Sequence, residues 1–316
     1  MGVALYFYQL FGFTIASEIE CPELPQSPNV SAPDVHFKRD QLSEDIADRV
    51  KVYPRSFLRP QIGSGVFQFE LPGIARYRVE AGSTIRVSPF QGSTETDIRP
   101  YLLGTAMGAL LLQRRLLPLH VCAIAFDGQA HAFCGQSGAG KSTLALAFLR
   151  QGVRLLCDDV GLAVPQNDGQ VRFYPGFPRV KLWRDTLGHF NIDEAPLARD
   201  VSRANKFHMN IEASFSTRPL PLAGLYALEK GPPEAPLRFE ALDRHRAIGL
   251  LIEHTYRTEL VMDVGDPHIH LRQCAEIARS VPAFSCYRPW NLDEADRSAC
   301  AILEQLRQRE QPIGVA

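Results

Sequence analysis

The chain has 316 residues, of which 45% are hydrophobic and 22% are charged, and its formal net charge is −1. This composition is typical of a globular protein long enough to hold two hydrophobic cores. A nearly neutral chain has no basic excess to neutralise a phosphodiester backbone, which argues against a general nucleic-acid binder. We therefore expect no nucleic-acid partner.

Cysteine usage and apolar segments bear on the compartment. The seven cysteines form no Cys-x-x-Cys pair, and an odd, scattered set fits a reducing compartment better than a disulfide framework. The N-terminus has no basic region and no small-residue cleavage site. The longest apolar stretch is interrupted by Gln113, Arg114 and Arg115, and burying two arginines in a bilayer is costly. We expect a cytoplasmic protein with no membrane partner.

Residues 1–96 alternate aromatic or β-branched residues with polar ones, between turns rich in Gly, Pro and Ser. That pattern predicts short strands, in the segments ALYFYQLFGFTIA, DVHFKRD, GVFQFELPG and ARYRVEAGSTIRVSPF. No group of catalytic side chains is evident there. We predict a β-rich N-terminal module over 1–96 that is structural or docks an acceptor, followed by a second domain over 97–316.

Residues from Thr96 to Arg115 have apolar residues at helical spacing. Two strand-like segments follow, joined at Asp127-Gly128 by a sequence that favours a hairpin turn, and the second leads into a glycine-rich loop. After the loop, the sequence predicts a helix ended by Gly152, a short strand closing in two acids, and another hairpin. The polar stretch from Asp185 to Asn210 is predicted to be irregular and mobile. Two further strands, in LAGLYALEKG and LRFEALD, precede a remainder predicted to be largely helical.

The glycine-rich loop is a complete Walker A motif, in which Gly135 is followed after four residues by Gly140-Lys141-Ser142. Its glycines let backbone N–H groups wrap phosphates, and the helix N-terminus adds positive potential. Lys141 is expected to reach the β- and γ-phosphates, and the Ser142 hydroxyl to ligate Mg²⁺. The predicted nucleotide-binding residues of the loop are Gly135, Ser137, Gly138, Ala139, Gly140, Lys141, Ser142 and Thr143.

Two classes of nucleotide protein are excluded by missing motifs. A GTPase would need an Asn-Lys-x-Asp base reader, and the sequence at Asn205 has histidine in place of the aspartate. The signature of ABC ATPases, of the type LSGGQ, is absent.

Asp158 and Asp159 end the strand that follows the Walker helix. One acid there can hold Mg²⁺, and a second can act as the base for an attacking hydroxyl. Because neighbouring side chains of a strand point to opposite faces, the pair must lie where the strand ends if both are to reach one site. A plain strand-to-turn pair is the structural alternative.

His120 is a lone polar residue in a segment predicted as an apolar strand, and alone it is better explained as a buried structural histidine than as a catalytic one.

Taken in order, His120, the loop Gly135-x-x-Gly138-x-Gly140-Lys141-Ser142, Gly152 and Asp158-Asp159 resemble the catalytic domain of HPr kinase/phosphorylase. The sequence is especially similar to the shorter HPr-kinase-like proteins found near ribosomal-peptide gene clusters, some of which phosphorylate lasso-peptide precursors. The resemblance implies an α/β fold related to phosphoenolpyruvate carboxykinase, with the phosphate loop in a mixed, largely antiparallel sheet. It also implies Asp158 as base, Asp159 as metal partner, and a site role for His120. The N-terminal region does not resemble that of true HPr kinases.

Basic residues supply secondary candidates. Arg179 and Lys181 lie in a segment with two prolines and a glycine, which favours a shaped turn able to close on phosphate. Arg203 and Lys206 are candidates for clamping the γ-phosphate. Arg257 and Arg288 are further candidates.

The sequence therefore predicts an ATP- and Mg²⁺-dependent kinase that transfers the γ-phosphate to a hydroxyl of a peptide or protein serine, such as that of a ribosomal-peptide precursor. Asp158, His120 and Lys141 are the predicted catalytic residues, and Ser142 and Asp159 the predicted metal ligands. A small-molecule kinase and a non-catalytic nucleotide-sensing protein are the alternatives, and a homo-oligomer is left open.

Overall fold

The computed structural model describes residues 4–43, 61–63, 65–200, 203–232 and 236–310. Within these ranges the chain forms a mixed α/β fold with three β-sheets. The α/β fold class predicted from the sequence is confirmed at this level. No helix among the described residues is long and apolar enough to span a membrane.

The first sheet has seven strands in the order β1-β2-β3-β7-β6-β5-β4. The strands are β1 (Tyr6–Leu10), β2 (Phe13–Ser17), β3 (Val35–Arg39), β4 (Gln61–Gly63), β5 (Val66–Leu71), β6 (Ala75–Glu80) and β7 (Thr84–Pro89). The four strand-rich segments predicted over 1–96 are thus strands. Phe11 and Gly12, which join β1 to β2, both have positive φ values, of 54° and 82°, as a tight hairpin turn requires.

A helical segment leaves this sheet and changes pitch midway. Helix α1 (Glu95–Tyr101) begins at a capping box formed by Thr94 and Asp97, continues as a π turn over Leu102–Ala106, and ends as α2 (Met107–Gln113). Pro100 lies inside α1 and cannot donate a backbone hydrogen bond. The helix predicted from Thr96 is confirmed, whereas the π turn is not evident from apolar spacing.

The second sheet has nine strands, with the main order β11-β9-β10-β17-β13-β12-β8 and with β19 beside β17 and β18 beside β19. The strands are β8 (Leu117–Leu119), β9 (Cys122–Phe126), β10 (Gln129–Cys134), β11 (Arg154–Asp158), β12 (Gly161–Pro165), β13 (Val171–Tyr174), β17 (Leu220–Gly231), β18 (Arg238–Ala241) and β19 (Ala283–Pro289). Only β17 pairs in parallel, with β10 and with β19; the other pairs among these described strands are antiparallel. A mixed, largely antiparallel sheet is what the resemblance implies.

Four longer helices surround the second sheet. They are α3 (Lys141–Arg150), α5 (Arg244–Glu253), α6 (Pro267–Ser280) and α7 (Ala295–Glu310). Gly152 follows α3 with a φ of 76°, so the predicted glycine C-terminus of the Walker helix is confirmed. The hairpin turn at Asp127-Gly128 is confirmed too, with φ values of 46° and 77°.

One prediction about regular structure is wrong. The stretch from Asp185 to Asn210 is not irregular: it contains α4 (Arg184–His189), β15 (Ala198–Arg199) and β16 (Lys206–Asn210). Strands β15 and β16 join β14 (Arg179–Trp183) in a three-stranded sheet. Phe207 and Leu187 of this stretch are buried in the core beside α3, and this burial orders a segment that has little apolar periodicity. The predicted helical remainder also contains strand β19.

Hydrophobic packing is continuous across residue 96. One core cluster joins buried residues of the first sheet, such as Phe37 and Tyr77, to Leu103 and Leu110 of the helical segment. It also includes Val160, Leu162, Phe177, Leu260 and Val261 from the second half of the chain. The division of the chain at 96 stays a prediction.

Candidate active site

A cavity of about 570 Å³ lies where the phosphate loop, the end of β11 and the small third sheet meet. Most of the residues predicted from the sequence to bind nucleotide or to act in catalysis line it. They are His120, Ser137, Gly138, Gly140, Lys141, Ser142, Thr143, Asp158, Asp159, Lys181, Arg203, Lys206 and Arg257. Gly135 and Ala139 belong to the loop but are not among the residues that line the cavity.

The phosphate loop connects β10 to α3, and its glycines are needed for their backbone conformation. Gly138 and Gly140 have φ values of 90° and 76°, a region that other residues rarely adopt. A Cβ on Gly135 would lie 2.8 Å from the Cβ of Ala139, so the loop closes tightly at its base. Lys141, only 9% exposed, donates hydrogen bonds to the backbone carbonyls of Gly135 and Gln136. The backbone of the loop therefore wraps around the side chain of Lys141.

Asp158 is the last residue of β11 and is 7% exposed. Its Oδ2 accepts a hydrogen bond of 3.0 Å from the backbone N–H of Lys181. Its buried Oδ1 accepts none from the part of the chain that the structure describes. Burial raises the pKa of Asp158 to about 7, although the Lys181 amide and the nearby Ser142 hydroxyl oppose the rise. The carboxyl group is thus poised to exchange a proton near neutral pH.

Asp159 follows the strand and has a different environment. Its carboxylate lies 2.5 Å from Lys181 Nζ and 3.6 Å from His120 Nε2. Burial acts to raise the pKa of Asp159, but the charge of Lys181, together with that of His120 when its imidazole is protonated at low pH, outweighs burial and holds the pKa well below its usual range. Both acids reach the same cavity because the pair lies at the strand end, as expected from the alternation of side chains. One acid titrates near neutrality and the other stays ionised.

His120 lies in the connection between β8 and β9 and not inside a strand, which corrects its predicted position. Its backbone N–H donates to the carbonyl of His254 at 2.8 Å, and its side chain is 40% exposed at the cavity. The surrounding protein lowers the pKa of His120 to about 4, against the opposing charge of Asp159. The imidazole is therefore neutral at pH 7.

The third sheet brings basic residues to the cavity. Trp183 of β14 pairs in register with Lys206 of β16, and its ring lies 5.4 Å from Lys206 Nζ and 5.9 Å from the Arg203 guanidinium. Burial and the charge of Lys181 lower the pKa of Lys206. Arg179 is buried and does not line this cavity. Arg179 lies behind the two acids, in a smaller cavity that they share with it.

Another wall of the cavity comes from the π turn and the segment after α5, and of it sequence reasoning named only Arg257. Tyr256 occupies a groove left by two glycines: a Cβ on Gly108 would lie 2.8 Å from its ring, and one on Gly104 would lie 3.2 Å from its hydroxyl. Arg257, with a φ of 57°, donates a hydrogen bond of 2.7 Å to Thr105 Oγ1. The Gly-x-x-x-Gly spacing in the helical segment is the signal that indicates such a close approach.

Two oxygen donors suit Mg²⁺ in this cavity. Mg²⁺ is usually held by one or two carboxylates together with substrate phosphates and water. Ser142 and the acid pair line the same space, and the buried Asp158 Oδ1 has no hydrogen-bond donor among the described residues. The residues therefore fit the ion. The predicted metal ligand Asp159 would have to exchange its ion pair with Lys181, whereas Asp158 Oδ1 would not.

No protein-family model matches the chain, and a search of curated proteins finds no match. Among solved structures, the chain is similar to the Hpr(Ser) kinase/phosphatase from Coxiella burnetii, with 11% sequence identity and a TM-score of 0.35. The match covers 61% of this chain and 99% of that chain. At this TM-score the likeness carries no conclusion about the chemistry of the cavity.

Proposed function

We propose that this protein is an ATP- and Mg²⁺-dependent phosphotransferase that moves the γ-phosphate of ATP to a serine hydroxyl of a peptide or protein. The observation that carries the proposal is the placement of Asp158. A buried carboxyl with a free oxygen and a pKa raised to about 7 shares one cavity with the lysine and serine of a Walker A loop. A sensor of nucleotide needs the loop but no such base.

The loop would hold the triphosphate through its backbone N–H groups and the N-terminus of α3. Lys141 would leave the carbonyls of Gly135 and Gln136, to which it now donates, and bind the phosphate oxygens. The ammonium group is charged in both arrangements, but the phosphate oxygens also carry negative charge, whereas the carbonyls do not, so the exchange favours the bound state. Arg203 and Lys206, which line the same cavity, would add positive charge.

In the transfer step, the acceptor oxygen forms a bond to the γ-phosphorus while the bond to the bridging oxygen of ADP breaks. Asp158 takes the proton of the acceptor hydroxyl, and ADP carries away the electrons of the broken bond. A base is most effective when its pKa lies near the working pH, and burial gives Asp158 such a pKa. Lys141 offsets the charge that develops on the phosphoryl oxygens.

Ser142 with one of the two acids would hold Mg²⁺, which neutralises charge on the β- and γ-phosphates when bound. Asp159, ion-paired with Lys181 and close to His120, keeps a fixed negative charge beside Asp158. That charge raises the pKa of Asp158 further. Neutral His120 can accept or donate a hydrogen bond at the cavity without adding charge.

The N-terminal module would help to hold the acceptor. Pro100, Tyr101 and Thr105, from the helical segment that leaves the first sheet, line the cavity. The first sheet, which shares a hydrophobic core with that segment, would hold the segment in place while an acceptor enters between it and the loop.

Substitution of each acid tests the proposal. We expect Asp158→Asn to bind ATP–Mg²⁺ within a few-fold of wild type while phosphate transfer falls by roughly 10²–10⁴, the usual contribution of a general base. Asp159→Asn should instead weaken the response to Mg²⁺ and recover in part at higher Mg²⁺ concentration, if Asp159 supplies a ligand charge.

Asp168→Asn is the matched control, because Asp168 is an exposed acid in the turn between β12 and β13. Binding is measured by titration, and transfer by labelled γ-phosphate in a mixture of serine-containing peptides and proteins. If Asp158→Asn transfers at the wild-type rate, Asp158 is not the base. Tight ATP binding with no transfer to any acceptor favours the nucleotide sensor.

A further inference from the structure

Arg288 lies behind the phosphate loop, and the proposed transfer step does not use it. It is on β19, which runs parallel to β17, and β17 runs parallel to β10. The ends of these strands therefore meet where the loop begins. The side chain crosses to the loop and is 5% exposed.

The guanidinium contacts the loop directly. Its Nη2 donates a hydrogen bond of 3.0 Å to the carbonyl of Ala139, and any Cβ on Gly140 would overlap the same nitrogen. Its Nη1 lies 3.4 Å from the carbonyl of Pro289, and the group lies 5.2 Å from the centre of the Trp290 ring. Arg288 thus fixes the loop at the residues just before Lys141.

The charge of Arg288 is not neutralised within the described residues. No carboxylate lies within ion-pair distance of it there, and its buried Nε has no hydrogen-bond acceptor. Arginine does not lose its proton in proteins, so a buried positive charge remains. By contrast, Arg76, another buried arginine at 9% exposure, pairs with Glu70 at 2.5 Å.

A buried ion without a partner disfavours the folded state. Its field is also weakly screened in the interior, so that nearby opposite charge is strongly attracted. Arg288 is adjacent to the loop that the proposed function assigns to a polyphosphate. A bound triphosphate would bring negative charge to the place where the fold leaves positive charge uncompensated.

We propose that Arg288 is a positioning residue for the phosphate loop, whose unneutralised charge makes the loop select ligands by their negative charge. The inference rests on nucleotide binding by the loop, one part of the proposed function, and does not need phosphate transfer. It predicts two results for a variant without this charge. The thermal stability of the unliganded protein should not fall, whereas the affinity for polyphosphate should fall.

The test compares Arg288→Met, Arg288→Lys and the control Arg238→Met. Met keeps an unbranched apolar chain without charge, and Lys keeps the charge without the planar fork. Arg238 also lies over an aromatic ring, Tyr287 at 4.5 Å, but is 64% exposed and outside the cavity. Thermal unfolding of the unliganded proteins is measured first, followed by titration with ATP, ADP and inorganic tripolyphosphate in the presence of Mg²⁺.

We expect Arg288→Met to unfold at the wild-type temperature or above it and to bind ATP and tripolyphosphate about tenfold or more weakly, with a smaller loss for ADP. Arg288→Lys should bind ATP more tightly than Arg288→Met, and Arg238→Met should match wild type. Equal affinity for ATP in wild type and Arg288→Met overturns the inference. So does an equal loss for ATP and ADP together with a large loss of thermal stability, which indicates a merely structural residue.

If Arg288→Met does not fold, the Lys variant decides: retained preference for ATP over ADP supports a role of the charge, and loss of that preference overturns it. A wild-type protein that binds none of the three ligands overturns both this inference and the proposed function. Charge-dependent binding without any phosphate transfer overturns the proposed transferase and leaves the inference standing.

Discussion

The first sheet and the phosphate-loop region differ in how far their charged side chains are buried and how completely they are paired. In the first sheet, charged side chains form ion pairs that are partly exposed to solvent. Arg86 lies 2.9 Å from Glu80 and 2.9 Å from Asp40, each of these side chains being about a third exposed. Arg76, which is more buried, pairs with Glu70.

Around the loop, charges are buried and their pairing is incomplete. Lys141, Asp158 and Arg288 are 9%, 7% and 5% exposed. Asp158 and Arg288 each have a buried polar atom without a hydrogen-bond partner among the described residues. Charged groups are paired in one region of this fold and incompletely paired in the other. The second region is therefore where we expect a ligand to supply the missing partners.

The largest expected effect is on pH dependence. Because the pKa of Asp158 is raised to about 7, the base is protonated and inactive at lower pH. We expect kcat/KM for phosphate transfer to approach a tenfold fall per pH unit well below pH 7, which amounts to about 50-fold between pH 7 and pH 5. The Asp158→Asn variant should lack this dependence. A wild-type profile that is flat over this range contradicts the assignment of the base.

Lys141→Ala should weaken ATP binding at least tenfold, since a charge-assisted contact with phosphate contributes roughly 1.5–3 kcal/mol. Calorimetric titration measures the change. Lys230→Ala is the control, because Lys230 is an exposed lysine near the end of β17 and outside the cavity. Unchanged ATP affinity in Lys141→Ala would remove the loop from the proposed site.

Asp158→Asn should stabilise the unliganded protein above pH 7. The folded-state pKa of Asp158 is raised, so the folded protein binds more protons than the unfolded chain between about pH 4 and pH 7. Stability is therefore lost as pH rises through that range, and removing the carboxylate should restore on the order of 1–3 kcal/mol at pH 8. Chemical denaturation at pH 5 and pH 8 checks the sign. A variant less stable than wild type at pH 8 would mean that interactions in the folded protein stabilise the ionised Asp158 carboxylate enough to offset the cost of burying it.

The smallest effect is expected in the first sheet. Arg86→Gln removes two partly exposed ion pairs, and such pairs contribute roughly 0–1 kcal/mol each. We expect a loss of that order in the free energy of unfolding and no change in ATP affinity. A large loss of stability would show that the exposed ion pairs of the first sheet contribute more than their geometry indicates, and so that the two regions differ less than proposed.

Local patterns in the sequence predict the parts of this molecule that depend on neighbouring residues. The hairpins of the first sheet follow from the alternation of apolar side chains, and the loop before α3 follows from the Walker A spacing. Asp158 and Asp159 could be placed at a strand end because the strand is short and apolar until it reaches them. These features are fixed within about ten residues of chain.

Features that depend on distant contacts could not be predicted in the same way. The ring of Tyr256 contacts Gly108, 148 positions away in the chain, so no local pattern joins them. The polar stretch after Asp185 forms strands because Phe207 finds a buried position beside α3. Strand β19 lies in a part of the chain whose local pattern predicts mainly helix, although its pairing with β17 is what brings Arg288 to the loop.

The continuous core across residue 96 has a consequence for dissecting the protein. Leu103 and Leu110 pack in one cluster with Phe37 and Tyr77 of the first sheet, while the same helical segment supplies Tyr101 and Thr105 to the cavity. A fragment that starts at residue 97 would keep the whole Walker loop but expose the apolar side of this segment to water, which favours aggregation. The first sheet thus keeps the apolar side of this segment covered and so stabilises one wall of the site. We therefore expect the two parts of the chain to be inherited together.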